Sequence, residues 1–165
     1  MRHAIRAAAA AALLFFVSTN LSSAVVIKQV PSVPSARSTK DALRIAHNAS
    51  RIARKMNSVG RCYRGVTLAM RDFGVTLTGM AAYEAKGQLI RDRRFKVVHA
   101  NRTKDLRTGD ILVNGPIKTH PYGHIAVYLG QDQEASDHIQ PVLFNTIFGK
   151  TTVFRLKDSK KRTRA

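Results

Sequence analysis

The sequence predicts an α+β fold in which helices come first and an antiparallel β-sheet follows. Between residues 40 and 90, apolar residues recur every three or four positions, the period of an amphipathic helix. After residue 95, short apolar runs are separated by turns rich in glycine, proline and aspartate, a pattern typical of strands. Helices that precede the strands, rather than alternate with them, indicate the α+β class.

The first 24 residues predict a secretory signal peptide. Arg2 and Arg6 form a basic start, residues 7–17 an apolar run, and Ser22-Ser23-Ala24 a small-residue cleavage site. The apolar run is too short to cross a bilayer as a helix, which needs about 20 residues. We therefore expect cleavage after Ala24, export to the periplasm or the cell exterior, and no transmembrane segment afterwards.

The remaining chain divides into a linker, one domain and a tail. Residues 25–37, with Pro31 and Pro34, predict a linker. Residues 38–156 predict a single folded domain, which we expect to be monomeric. Residues 157–165 form a basic polar segment that we expect to be disordered.

Three helices are predicted in the first half of the domain. The first runs from about Lys40 to Asn57 and is capped by Ser38 or Thr39. The third is expected from Gly79 to Ile90. The second carries an apolar stripe at helical spacing, formed by Cys62, Val66, Ala69, Met70 and Phe73.

The second half predicts the strands of the sheet. Residues 95–99 have mixed β character, and residues 111–113 form a short apolar strand after a Gly-Asp turn. Residues 123–130 give the strongest strand pattern. A hairpin turn at residues 131–133 is expected to lead into a returning strand at 134–139, and residues 151–156 predict a last strand.

Cys62, the one cysteine of the chain, is a candidate nucleophile. It lies in the first turn of the predicted second helix, where unpaired backbone N–H groups and the helix dipole favour an anion. Arg61 and Arg64 add positive charge, so a reactive thiolate is favoured there. The alternative is that Cys62 is a small buried hydrophobe. An unpaired thiol in an exported protein modestly favours the chemical role.

His124 is the candidate base, because it begins the strongest strand and would lie at a rigid end of the sheet. A third group is needed to hold its ring. Asp137 and His138, on the predicted returning strand, are the candidates, and they would point to opposite faces. We favour Asp137, since a carboxylate is the better acceptor for an imidazolium.

No metal site and no cofactor are predicted. His120 and His124 have the i, i+4 spacing of helical metal ligands, but Pro121 and Gly123 prevent a helix there. The other histidines are scattered along the chain, and no second cysteine exists.

The net charge of +18 favours polyanionic partners. The alternative function is therefore a non-enzymatic basic protein that binds anionic cell-envelope polymers or nucleic acid. The chain has no tryptophan, and its basic runs lack the interleaved aromatic residues that stack on bases. We expect no specific recognition of nucleic acid.

Three segments occur in a particular order: Gly60-Arg61-Cys62-Tyr63 at a helix start, LRTGDILV at residues 106–113, and GHIAVYLG at residues 123–130. Together they resemble the NlpC-like and CHAP-like cysteine hydrolases of bacterial cell walls. Around the nucleophile the chain is nearer to the CHAP-like pattern, since common NlpC-type sequences have Asp-Cys-Ser-Gly there.

The resemblance implies a papain-like core, in which the Cys62 helix packs on an antiparallel sheet that carries His124. It also implies hydrolysis of an amide bond in peptidoglycan peptides, by an endopeptidase or an amidase, so peptidoglycan is the expected partner. A papain-like acyltransferase would use the same set of residues.

Overall fold

The computed structural model describes residues 38–146, 148 and 150–158. The predicted signal peptide and linker and most of the predicted basic tail lie outside these residues. The helices are α1 (Lys40–Met56), α2 (Cys62–Arg71) and α3 (Glu84–Arg91), with a short 3₁₀ helix at Thr103–Asp105. The strands are β1 (Phe95–Val98), β2 (Ile111–Asn114), β3 (His124–Gly130), β4 (Gln133–Ala135), β5 (Ile139–Pro141) and β6 (Thr151–Leu156).

The six strands form one antiparallel sheet with the order β1-β6-β2-β3-β4-β5. Helices α1 and α2 pack together and against β3, and they bury Ile45, Val66 and Val127 in a common core. The predicted α+β class, with the Cys62 helix packed on an antiparallel sheet, is confirmed. Among the described residues, no helix is long and apolar enough to cross a membrane.

The first two helices begin where the sequence predicts. Thr39 caps α1, because its hydroxyl accepts the backbone N–H of Ala42 at 3.1 Å. Helix α2 begins at Cys62 and ends at Arg71, so Phe73 lies beyond the helix although it still packs against the core. The nucleophile candidate therefore occupies the first helical position.

The prediction for the third helix was wrong at its start. Helix α3 begins at Glu84 rather than Gly79. The carboxylate of Glu84 accepts the backbone N–H groups of Met80 and Ala81, so this preceding segment folds as a turn onto Glu84. The period of the apolar residues did not reveal this side-chain contact.

The prediction of one long returning strand at residues 134–139 was also wrong. After positive φ angles of 52° and 54° at Gln131 and Asp132, β4 has only three residues. Residues 136–138 form a second tight turn, closed by the bond from the Ser136 N–H to the His138 carbonyl at 3.0 Å. Asp137 and His138 therefore lie in a turn, and not on a strand beside β3.

Candidate active site

Cys62 is partly buried at the N-terminal end of α2, close to the turn at residues 136–138. Gly65, one turn along the helix, makes this approach possible: a Cβ atom at residue 65 would overlap the Ser136 carbonyl oxygen. Glycine is thus required for α2 to lie directly against the turn. The position of the thiol depends on a contact between elements that are far apart in sequence.

His124 is the first residue of β3, where it pairs with Asn114 of β2, and it is 6% exposed. Gly123 precedes it with a φ of 66°, and a Cβ atom there would overlap the Asn114 carbonyl oxygen. The chain therefore turns sharply into β3 at a residue that only glycine fits without strain. This turn fixes the imidazole at the end of the sheet.

The structure brings Cys62 and His124 together. The thiol of Cys62 lies close enough to the His124 ring to raise the pKa of the imidazole. On another side, the His124 ring stacks on Phe148, with 5.1 Å between the ring centroids and 25° between the ring planes. The thiol and the imidazole thus lie in one site, and their catalytic roles stay a prediction.

The other partner of the His124 ring is Glu134, which the sequence analysis did not name. The His124 Nε2 atom lies 2.7 Å from Glu134 Oε1. Glu134 is fully buried, and it also accepts hydrogen bonds from the Gln140 side chain at 2.8 Å and the Leu143 backbone N–H at 3.1 Å. Because Nε2 is engaged with this carboxylate, Nδ1 is the ring nitrogen that remains for the thiol proton.

Strand register explains why Glu134 was missed. Glu134 pairs with Tyr128, which lies on the same side of β3 as Ala126 and His124. Ala126 is the residue of this face between His124 and Tyr128, and the long side chains of His124 and Glu134 span the separation to meet at 2.7 Å. The sequence did offer a signal for Glu134: it is a carboxylate on the strand next to β3, and it lies on the same face of the sheet as His124.

Asp137, which we had favoured as the partner of His124, holds the start of α2 instead. Its Oδ2 atom accepts the backbone N–H of Arg61 at 2.6 Å, and its Oδ1 atom accepts the Ser136 hydroxyl at 3.0 Å. Its carbonyl accepts the Ser58 N–H at 3.2 Å. The reason is the turn at residues 136–138, which directs this 1%-exposed carboxylate at Arg61, the residue before Cys62.

His138 is likewise not a partner of His124. Its Nδ1 atom lies 3.2 Å from Asp137 Oδ1, and about a quarter of its side chain is exposed. Asp137 and His138, the two predicted partners of the His124 ring, therefore support the start of α2 instead. The position at the imidazole that we assigned to one of them is occupied by Glu134.

The charges of the site favour a protonated imidazole. Burial lowers the pKa of His124, but the hydrogen bonds and charges of Cys62 and Glu134 outweigh it and raise that pKa to about 9. For Asp137, burial raises the pKa, but hydrogen bonds from the Arg61 N–H, Ser136 and His138 outweigh it and lower the pKa below 3.8. At neutral pH the site therefore contains an imidazolium at His124 and an ionised carboxylate at Asp137, each with hydrogen-bond partners.

This arrangement has the parts of a cysteine nucleophile site. A thiol contacts an imidazole, the imidazole contacts a buried carboxylate, and the thiol lies at a helix N-terminus whose first N–H groups lack partners within the helix. Among the described residues, no group of three or more His, Cys, Asp or Glu side chains could hold a metal ion.

The chain is similar in structure to a chain of the type VI effector–immunity complex Tae3–Tai3 from Ralstonia pickettii. The crystal structure of the native complex matches with a TM-score of 0.55 and 26% sequence identity, over 70% of this chain and 98% of the matched chain. The selenomethionine form matches with a TM-score of 0.47 and 27% identity, over 59% and 81%. The chain matches no protein-family model, and no curated protein is significantly similar to it.

Proposed function

We propose that this protein is a cysteine hydrolase that cleaves an amide bond in peptidoglycan peptides. Cys62 is the nucleophile, His124 moves the proton, and Glu134 holds the imidazole and stabilises its charge. The observation that carries the proposal is the series of contacts from the Cys62 thiol through the His124 ring to the buried Glu134 carboxylate. A structural cysteine has no need of such a series.

The reaction would proceed in two steps. The Cys62 thiolate attacks the carbonyl carbon of the amide, a C–S bond forms, and the oxygen becomes an oxyanion that the backbone N–H of Cys62 can bind. The His124 imidazolium then protonates the amine nitrogen as the C–N bond breaks, which leaves a thioester. His124 next takes a proton from water, and the hydroxide attacks the thioester carbon. The C–S bond then breaks, which releases the carboxylic acid and restores the Cys62 thiolate.

Two features of the sequence and one prediction from it support a cell-wall peptide as the substrate. The motifs around Cys62 and His124 resemble those of cell-wall cysteine hydrolases. The full chain has a net charge of +18, and loss of Arg2 and Arg6 with the predicted signal peptide would still leave a strongly basic protein that concentrates on an anionic envelope. The predicted signal peptide would export it to where peptidoglycan lies.

A protein partner is a further part of the proposal. The matched neighbour was solved as an effector–immunity complex. By analogy, we propose that a protein inhibitor can cover the Cys62–His124 site of this chain. The proposal does not require a second copy of the chain, because Cys62, His124 and Glu134 all belong to one molecule.

Incubation of the purified protein with peptidoglycan sacculi tests the function. The native protein should release new primary amines, whereas Cys62→Ala and His124→Ala should release none above the blank. His47→Ala, which removes an exposed histidine of α1, is the matched control and should retain full activity. If native and Cys62→Ala proteins bind sacculi equally and neither releases amines, the basic binding protein is the correct function.

A further inference from the structure

A groove of about 740 Å³ opens beside the proposed catalytic residues, where α3, β1 and the start of β6 meet. Cys62 does not line it. Phe148 does, and the same ring stacks on His124 and lies 4.6 Å from the ring of His120. The groove is thus separated from the imidazole by one aromatic ring, a position suited to a segment of substrate on one side of the scissile bond.

The groove is positively charged. Lys86 of α3 and Lys150 before β6 line it, and both are exposed to solvent. None of the described lining residues is an aspartate or a glutamate. Asn101 and the hydroxyl groups of Thr146 and Thr152 add neutral hydrogen-bonding groups. This set of side chains fits a ligand that carries carboxylates.

The groove also has an aliphatic wall. Ile90 and Val97 line it, and they are 57% and 56% exposed, which is unusual for large apolar side chains. Of the described lining residues, only His99 and Phe148 carry aromatic rings, and the Phe148 ring already packs on the His124 and His120 rings, whereas single-stranded nucleic acid binds along a succession of aromatic side chains. The combination favours a peptide with methyl and methylene groups over a nucleic acid.

We propose that this groove is a subsite for a carboxylate-bearing segment of a peptidoglycan stem peptide. Lys86 and Lys150 bind its free carboxylates, and Ile90 and Val97 contact its aliphatic groups. The inference rests on the proposed function, because it assigns this segment to one side of the amide that the Cys62–His124 site cleaves. The preferred substrate is therefore an acidic stem peptide rather than one whose carboxylates are amidated.

Steady-state kinetics on soluble cross-linked stem peptides test this assignment. One substrate has free carboxylates, and a second is identical except that its carboxylates are amidated. The double variant Lys86→Gln/Lys150→Gln should raise KM for the free acid about tenfold and change kcat less than twofold, because it removes two charges that bind the substrate and leaves the reacting groups in place. KM for the amidated substrate should not change.

The matched control is Lys96→Gln/Lys104→Gln, which removes two exposed lysines that do not line the groove. Its kinetic constants should equal those of the native protein. An equal rise of KM in the control would overturn the proposal in favour of general surface charge. An unchanged KM in the groove variant would also overturn it.

A binding measurement separates failure of the subsite from failure of the proposed function. Calorimetry with the Cys62→Ala protein and the free-acid stem peptide should show binding that weakens about tenfold when Lys86→Gln and Lys150→Gln are added. If this binding is found but the native protein hydrolyses no substrate, the groove is a peptide-binding site and the proposed hydrolase function is wrong. Equal binding of the amidated peptide, or preferential binding of a phosphate-rich wall polymer, would overturn the subsite.

Discussion

Glu134 and Asp137 are two buried carboxylates on one hairpin, and they support the candidate site in different ways. Glu134 lies on β4 and bonds to the His124 ring, whereas Asp137 lies in the following turn and bonds to the Arg61 N–H. Both are at most 1% exposed, and both accept three or more hydrogen bonds. Burial and hydrogen bonding alone therefore do not distinguish a group that acts on the imidazole from one that positions the backbone.

The difference lies in the element to which each carboxylate connects. Glu134 connects β4 to β3 through the His124 ring, so its charge raises the pKa of His124. Asp137 links the sheet to α2, so its charge acts on the segment that ends at Cys62. The comparison teaches that one hairpin can fix both proposed reacting groups, the candidate base His124 through a strand and the candidate nucleophile Cys62 through a turn.

Replacement of Glu134 tests whether this carboxylate acts on the imidazole, and it has the largest expected effect. Glu134→Gln should lower kcat about a thousandfold or more with little change in KM, because an amide can present a donor to His124 Nε2 and disfavour the required tautomer. The measurement is amine release from a soluble stem peptide. Asp132→Asn, which replaces an exposed carboxylate in the turn just before β4, is the matched control and should keep native kinetics.

Replacement of Asp137 should affect stability as well as rate. Asp137→Asn leaves fewer acceptor sites for the Arg61 N–H, the Ser136 hydroxyl and His138, so the free energy of unfolding should fall by about 1–3 kcal/mol. Displacement of Cys62 should lower kcat about tenfold to a hundredfold. Urea unfolding and kinetics measure the two effects, and a thousandfold kinetic loss at native stability would contradict a positioning role.

The pH dependence of kcat/KM separates the two carboxylates further. A thiolate–imidazolium pair is active only while His124 is protonated, so the alkaline limb of the native profile should lie near pH 9. Glu134→Gln removes a charge that favours the imidazolium, and its limb should move to lower pH. Asp137→Asn should leave the limb in place, and a shift in that variant would contradict the distinction.

The stability of the fold should depend on the two groups in opposite pH ranges. The pKa of His124 is raised from 6.5 to about 9, so its contribution is complete below pH 6.5 and is lost as the pH rises through 9. The pKa of Asp137 is lowered, so its contribution is present above its usual pKa of 3.8 and is lost as the pH falls. In thermal melts, Asp137→Asn should weaken the acid dependence and keep the alkaline one.

The smallest effect is expected from His138. Its side chain bonds to Asp137 and is partly exposed, so His138→Ala should lower the free energy of unfolding by no more than about 1 kcal/mol. Activity should stay within about threefold of the native value. A thousandfold loss of kcat would instead support the alternative that the sequence leaves open, in which His138 is the third member of the catalytic set.

The sequence predicted the parts of the fold whose signals are local. The period of the apolar residues located α1 and the start of α2, and the run of β-branched and aromatic residues at 123–130 located β3. The last strand, β6, begins and ends as predicted. The sequence-based prediction was less accurate for α3, because the start of this helix is set by the contact of Glu84 with Met80 and Ala81.

By itself, then, the sequence determined the α+β class and the two residues that meet in the site, Cys62 and His124. Each is marked by its own neighbours: a helix start for the cysteine and a strand start for the histidine. The partner of the imidazole was decided only by the tertiary structure, because a second turn at residues 136–138 ends β4 early. That turn sends Asp137 to α2 and leaves Glu134 at His124, and its position depends on the close packing of Gly65 against Ser136, which no local pattern encodes.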